Sequence, residues 1–131
     1  MLTLNKAQQV VAMAIEIAIQ NHQQIAVAVC DTHGELVSFA KMDDVSVQAG
    51  LLAKSKAYTS ARDRQPSGNL GEWARATGKD IGYWNDPNIT GFKGGVPIVV
   101  EGRVIGAVGI SGLSEEEDEL LAMSSISELD L

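Results

Sequence analysis

Apolar residues recur at helical spacing near the start of the chain. The positions that share one face of the predicted helix are Leu4, Ala7, Val11, Ile15 and Ala18. Thr3 has the side chain that helix N-caps prefer, and the polar stretch from 20 to 24 marks the end of the helix. The pattern therefore predicts a first amphipathic helix.

The next apolar segment, Ile25–Cys30, is rich in β-branched residues and too short for a helix. Successive side chains in a strand face opposite sides of the sheet. The odd-numbered residues, all Ile or Val, therefore share one face, and the even-numbered Ala and Cys residues share the other. Asp31–Gly34 has the residue types of a turn, and Glu35–Lys41 reads as the returning strand. We predict a β-hairpin.

A second helix is predicted to begin near Ser46. Ala49, Ala53, Ala57 and Ala61 recur every four residues along it. A seam of methyl groups lets a helix lie close to its partner, so we expect it to pack on the small face of the first strand.

The segment Gln65–Gly95 has no regular pattern. It mixes glycines and polar residues with four of the six aromatic residues of the chain: Trp73, Tyr83, Trp84 and Phe92. A short helix is predicted at Leu70–Thr77, and the rest is predicted to be loop. A long irregular segment in a small domain is often functional.

Regular alternation returns with two apolar runs, 96–100 and 103–111, joined by Glu101-Gly102. An X-Gly pair between such runs predicts a tight hairpin. Ser114 and Glu117 have capping-box spacing at the start of a last helix. The element order is helix, hairpin, helix, irregular segment, hairpin, helix, which favours an α+β fold with an antiparallel sheet.

Composition limits the classes of partner. The 131 residues suit one domain, 1–131, and the formal net charge of −7 argues against binding to nucleic acid or an anionic membrane. We expect neither a signal peptide nor a membrane span, and the single cysteine, Cys30, excludes an internal disulfide. These features predict a cytoplasmic protein.

Two blocks of sequence resemble a known family. The first comprises 29–37, Lys41-Met42-Asp43 and Lys56-Ala57-Tyr58-Thr59; the second runs from Gly94-Gly95-Val96-Pro97-Ile98 through 102–112 to Asp118. Together they are similar to the GlcG/HbpS-like family, whose domain also occurs at the C-terminus of PduO-type corrinoid adenosyltransferases.

The resemblance implies a profilin-like fold with a five-stranded antiparallel sheet, assembled into homo-oligomers. The sequence pattern itself contains four strands, so a fifth would have to come from Gln65–Gly95. The resemblance also implies a small-molecule ligand, haem or a corrinoid, and in some members of the family haem degradation.

Candidate ligand-binding residues lie in the two blocks. Lys56 and Thr59 match the family pattern and can anchor a carboxylate; alternatively, they are a solvated Lys and a packed Thr. Gly94-Gly95 and Ser111-Gly112 are further candidates, and the backbone N–H groups of Ser111, Gly112 and Leu113 lead into a helix N-terminus, which suits an anionic group. The alternative is that these residues only allow turning and close packing.

His33, in the first predicted turn, is the candidate axial ligand if haem binds, although a turn histidine is commonly just solvated. The sequence has no metal-ligand spacing and no residue set for nucleophilic catalysis, so no catalytic residue is assigned.

Three functions remain open. We favour a small-ligand-binding accessory or sensor protein that works as an oligomer. The alternatives are an enzyme acting on haem or on a small organic acid or aldehyde, and a structural oligomer that partners a metabolic enzyme.

Overall fold

A computed structural model describes residues 1–131. The helices are α1 (Leu4–Gln20), α2 (Val47–Asp63), α3 (Gly68–Thr77) and α4 (Glu115–Ser127). The strands are β1 (Ala26–Asp31), β2 (Leu36–Lys41), β3 (Gly95–Val100) and β4 (Arg103–Ser111), and a single 3₁₀ turn spans Ile81–Trp84.

The four strands form one antiparallel sheet in the order β2-β1-β4-β3. Helices α1 and α4 pack on one face, and α2 packs on the other. The α+β class and the antiparallel sheet are thus confirmed. No helix has the length and apolarity needed to cross a membrane.

The predicted division of β1 by side-chain size is confirmed. Ile25, which precedes β1, and Val27 and Val29 within it lie in the larger core with α1 and α4. Ala26, Ala28 and Cys30 lie in the smaller core with the alanines of α2. Side-chain size in one strand therefore decides which helix covers each face.

The expectation of a fifth strand is wrong. The sheet has four strands, and the segment expected to supply the fifth forms α3 and the 3₁₀ turn. Gly78 and Asn85 take left-handed backbone conformations after these two elements, with φ of 69° and 56°. The segment also lacks a run of β-branched residues that would favour a strand.

Local capping and turn predictions are confirmed. Thr3 caps α1 by accepting the Lys6 N–H, and Ser114 and Glu117 form a capping box on α4. Glu101 and Gly102 both have positive φ, as a two-residue hairpin of type I′ requires.

Candidate functional site

The chain between α2 and β3, residues 64–94, forms a crossover segment that packs against α2. Three side chains hold it in place. Tyr58 donates its hydroxyl hydrogen to Asp86 Oδ2 at 2.7 Å, and Thr59 Oγ1 accepts the Thr90 N–H at 2.9 Å. Ser67 donates to the Phe92 carbonyl and accepts the Gly95 N–H. Residues of α2 and the crossover segment thus define one surface of the molecule.

Three concavities lie along this surface. The large cavity, about 400 Å³, has a lining that includes Ala74, Arg75, Ile81, Ile89, Phe92 and Glu115. The small cavity, about 200 Å³, has a lining that includes Thr59, Arg62, Asp63, Leu70, Trp84 and Ile89. The groove, about 170 Å³, lies beside the first hairpin turn and includes Gly34, Leu36, Leu51, Lys54, Tyr58 and Asn88.

Arg62 lies at the centre of a polar network between the groove and the small cavity. Its guanidinium carbon is 5.1 Å from the centroid of the Tyr58 ring, and its NH1 donates to the His33 carbonyl at 3.0 Å. Its Nε lies 3.8 Å from Asp86 Oδ2. The hydrogen bond to Asp86 raises the pKa of Tyr58, with a further contribution from burial. Tyr58 is therefore a neutral hydrogen-bond donor at neutral pH.

Lys56 is not solvated: it is 2% exposed and forms an ion pair with Asp118. Its Nζ lies 2.9 Å from Asp118 Oδ2 and 2.9 Å from the Ile110 carbonyl oxygen. Asp118 Oδ1 accepts the Leu113 N–H at 3.0 Å. Burial raises the pKa of Asp118, and the Lys56 ammonium opposes that shift. The pair connects α2 on one face of the sheet to α4 on the other.

The predicted glycines pack closely around this ion pair. A Cβ on Gly94 would meet the Ile110 carbonyl and the Lys56 side chain, and one on Gly95 would meet the Lys56 carbonyl. Ser111 is buried at the end of β4, and Gly112 lies against the Gln24 carbonyl. Close packing thus accounts for the glycines, and a role in ligand binding stays a prediction.

Two of the backbone N–H groups near the α4 N-terminus have partners within the chain. The Leu113 N–H donates to Asp118, and the Ser114 N–H donates to Glu117. Of the residues predicted to bind a ligand, Thr59 lines the small cavity, Lys56 forms the buried ion pair, and Gly94 packs on the Lys56 side chain.

The family model described as "Haem degrading protein HbpS-like" matches residues 2–127. The chain belongs to the HbpS-like family. The predicted family membership is confirmed.

Three relatives of this HbpS-like chain show how far the similarity extends. Protein GlcG of Escherichia coli (strain K12) is 34% identical over 110 residues, which cover 84% of this chain and 81% of GlcG. Corrinoid adenosyltransferase PduO of Salmonella typhimurium (strain LT2) is 26% identical over 132 residues, 99% of this chain but only 39% of PduO. A crystal structure of a PduOC–haem complex is 26% identical, with a TM-score of 0.88, and the match covers 98% of this chain and 95% of that one.

The structure of this HbpS-like chain shows which side chains are available as axial ligands to a haem iron. Burial, with a smaller contribution from Asp31, raises the pKa of the Cys30 thiol to about 12, so the thiolate needed for ligation is disfavoured. Met42 accepts the Ile25 N–H through its sulfur at 3.4 Å. His22 and His33 are exposed, and His33 lies next to Gly34 in the groove lining. The exposed His33 has no side-chain hydrogen bond that would block ligation, and an axial role for it stays a prediction.

Asp63 and Asp86 were not among the residues that the sequence pattern singled out. Both line the small cavity, and Asp86 holds the crossover segment by accepting the Tyr58 hydroxyl and, through Oδ1, the Asn88 N–H. The Asp-Pro-Asn sequence at 86–88 is a turn signal that marks Asp86 as structured. No sequence pattern places Asp63 and Trp84 at one cavity, because both line it only after the crossover segment folds back on α2.

Proposed function

We propose that this chain is a haem-binding accessory protein whose haem site is the groove beside the first hairpin turn. The observation that carries the proposal is the position of His33, an exposed residue that directly precedes Gly34 in the lining of a groove with apolar walls and nearby cations. The relative solved with haem bound, PduOC, supports the choice of ligand.

The groove offers the chemistry that haem requires. Haem supplies an iron that takes an axial donor from the protein and two propionates that pair with cations. His33 is the axial donor in this proposal, Leu36 and Leu51 form the apolar wall, and Lys54 and Arg62 are the cations beside it. The turn that carries His33 is fixed because the His33 N–H donates to Asp31 Oδ1 at 2.9 Å.

The size of the groove favours an assembly of several copies. Ligand pockets commonly enclose ~300–1,000 Å³, and the groove measures about 170 Å³. The side chains of Leu36, Val47 and Leu51 are 48%, 86% and 55% exposed. In this proposal a second copy packs on these side chains and covers the rest of the macrocycle. The reducing cytoplasm, which suits the free thiol of Cys30, is the proposed location.

A corrinoid is the second ligand to test, because the corrinoid adenosyltransferase PduO is similar to the whole of this chain. Both macrocycles need an apolar surface and an axial nitrogen donor. A titration with cobalamin, run in parallel with the hemin titration described below, shows which of the two macrocycles the protein binds.

Hemin titration followed by the Soret band tests the proposal. We expect saturable binding by the unaltered protein, and at least tenfold weaker binding with a shifted Soret band for His33→Ala, a loss of ~1.4 kcal/mol or more. His22→Ala is the matched control, since it removes the other exposed imidazole, and should bind as the unaltered protein does. An unchanged Soret spectrum in all three proteins at micromolar concentration would rule out haem.

A further inference from the structure

Asp63, the last residue of α2, is an unpaired carboxylate that lines the small cavity. No Lys, Arg or His nitrogen forms an ion pair with it, and no hydrogen bond from a side chain or the backbone reaches its oxygens. Asp63 is partly exposed, and the burial of part of its surface raises its pKa.

The end of α2 makes this charge still less favourable. The C-terminal carbonyls of a helix carry the negative end of its dipole, so a carboxylate at the last position is repelled. The one basic residue of the last turn, Arg62, is engaged with the Tyr58 ring, the His33 carbonyl and Asp86. The helix end and Asp63 therefore leave an excess of negative potential in the cavity.

The other carboxylate of the cavity is satisfied. Asp86 accepts the Tyr58 hydroxyl through Oδ2 and the Asn88 N–H through Oδ1, and it also lies near Arg62. Asp63 is thus the carboxylate of the cavity that has no partner within the chain. No set of three or more His, Cys, Asp or Glu side chains is placed to hold a metal ion, so a metal is a poor candidate for that partner.

Three of the residues that line the cavity are apolar, alongside the polar Thr59 and Arg62. Leu70, Ile89 and the Trp84 indole face the same space, and Trp84 is braced by an edge-to-face contact with Trp73, with ring centroids 5.8 Å apart. An indole face attracts cations more strongly than any other side-chain ring. At ~30 Å³ for each water molecule, a cavity of about 200 Å³ admits a ligand of only a few heavy atoms.

We propose that the small cavity binds a small organic cation, a primary ammonium with a short apolar chain, which pairs with Asp63 and packs its chain on Trp84. The net charge of −7 adds a favourable long-range attraction for such a ligand. The small cavity adjoins the proposed haem groove at Arg62, and its ligand binds to haem-free protein.

Titration with n-butylammonium chloride, followed by NMR of the Trp84 indole N–H, tests this inference. We expect a saturable shift of that resonance, at least tenfold weaker binding of the uncharged isostere 1-butanol, and no binding of butyrate. In Asp63→Asn the dissociation constant for butylammonium should rise at least tenfold. Asp130→Asn, at an exposed position with no side-chain partner, changes the net charge equally and should leave the dissociation constant unchanged.

The variant also reports whether Asp63 has a structural role instead. Because an uncompensated carboxylate destabilises the fold at neutral pH, Asp63→Asn should melt at or above the temperature of the unaltered protein. Equal binding of butylammonium by Asp63→Asn, equal binding of 1-butanol and butylammonium, or a marked fall in the melting temperature of Asp63→Asn would each overturn the proposal.

Discussion

The ion pair between Lys56 and Asp118 is enclosed almost completely, with side-chain exposures of 2% and 3%. Lys56 Nζ has two hydrogen-bond partners. One is Asp118 of α4, on the opposite face of the sheet from α2, and the other is the carbonyl of Ile110 in β4. A buried charge needs such compensation, because its desolvation costs several kcal/mol. We therefore assign Lys56 a large role in stability.

Lys56→Met should lower the free energy of unfolding by about 3–5 kcal/mol, because it leaves the Asp118 carboxylate buried without its partner. Urea denaturation measures this change. Lys79→Met, at an exposed position without an ion pair, is the control and should alter stability by less than ~0.5 kcal/mol.

The double variant Lys56→Met with Asp118→Leu distinguishes the loss of the ion pair from the cost of leaving one buried charge without its partner. Removing both charges should recover part of the stability lost in Lys56→Met, since no uncompensated charge remains. If the double variant loses as much unfolding free energy as Lys56→Met and Asp118→Leu lose together, the two residues are not coupled.

Sequence alone singled out Lys56 and placed Asp118 in the family pattern, but it could not pair them. The two residues are 62 positions apart and lie on helices on opposite faces of the sheet. Their distance depends on how α2 and α4 are positioned, which is set by packing of all four strands. For the same reason the sequence pattern did not predict that Asp63 and Trp84 line one cavity, although it predicted the turn and cap residues correctly.

At the scale of elements, small residues on both sides of one interface bring α2 close to the sheet. Ala28, Gly109 and Gly95 are register partners across three adjacent strands. A Cβ on Gly109 would meet the backbone of Ala53 and Ala57 in α2. The helix backbone thus rests directly on the strand backbone. The alanine repeat predicted this interface, because the repeat can be recognised from the sequence of α2 alone.

Gly109→Ala should lower the free energy of unfolding by about 1–3 kcal/mol, since the added methyl group meets backbone that can yield only by moving α2. Gly50→Ala is the matched control within α2. Its Cβ would have ordinary contacts, 3.4 Å from Lys41 Cδ and 3.5 Å from Phe39 Cζ, and should stabilise the helix by ~0.5–1 kcal/mol. Thermal or urea denaturation of both variants gives the comparison, and equal effects of the two would contradict the close approach.

The crossover segment was the element that the sequence predicted least well. Its short helix was predicted at Leu70–Thr77 and begins at Gly68. The fifth strand implied by the family resemblance does not form there. The segment is held by side-chain hydrogen bonds such as those of Thr59 and Ser67, which leave no periodic pattern in the sequence.

For the whole molecule, the layers cover the two faces of the sheet unequally. Helices α1 and α4 bury one face under large aliphatic residues, and on the other face the α2 seam covers small residues. On α2, Val47 and Leu51 are exposed, and Leu51 lines the groove together with Leu36 of β2. One group of exposed apolar residues thus lies on the same side of the molecule as the groove, and a second group, which includes Ile19 and Met123, lies on α1 and α4.

That surface gives the proposed assembly a specific test. We expect light scattering after size exclusion to report a mass several times that of one chain, and Leu51→Glu to reduce it, because a charge at the centre of an apolar contact cannot be solvated. The same variant should weaken hemin binding if the second copy covers the macrocycle. Met123→Glu alters an apolar residue of similar exposure, 53%, on α4 at the opposite face of the sheet. Dissociation by Met123→Glu but not by Leu51→Glu would place the interface on the α1 and α4 side, away from the groove.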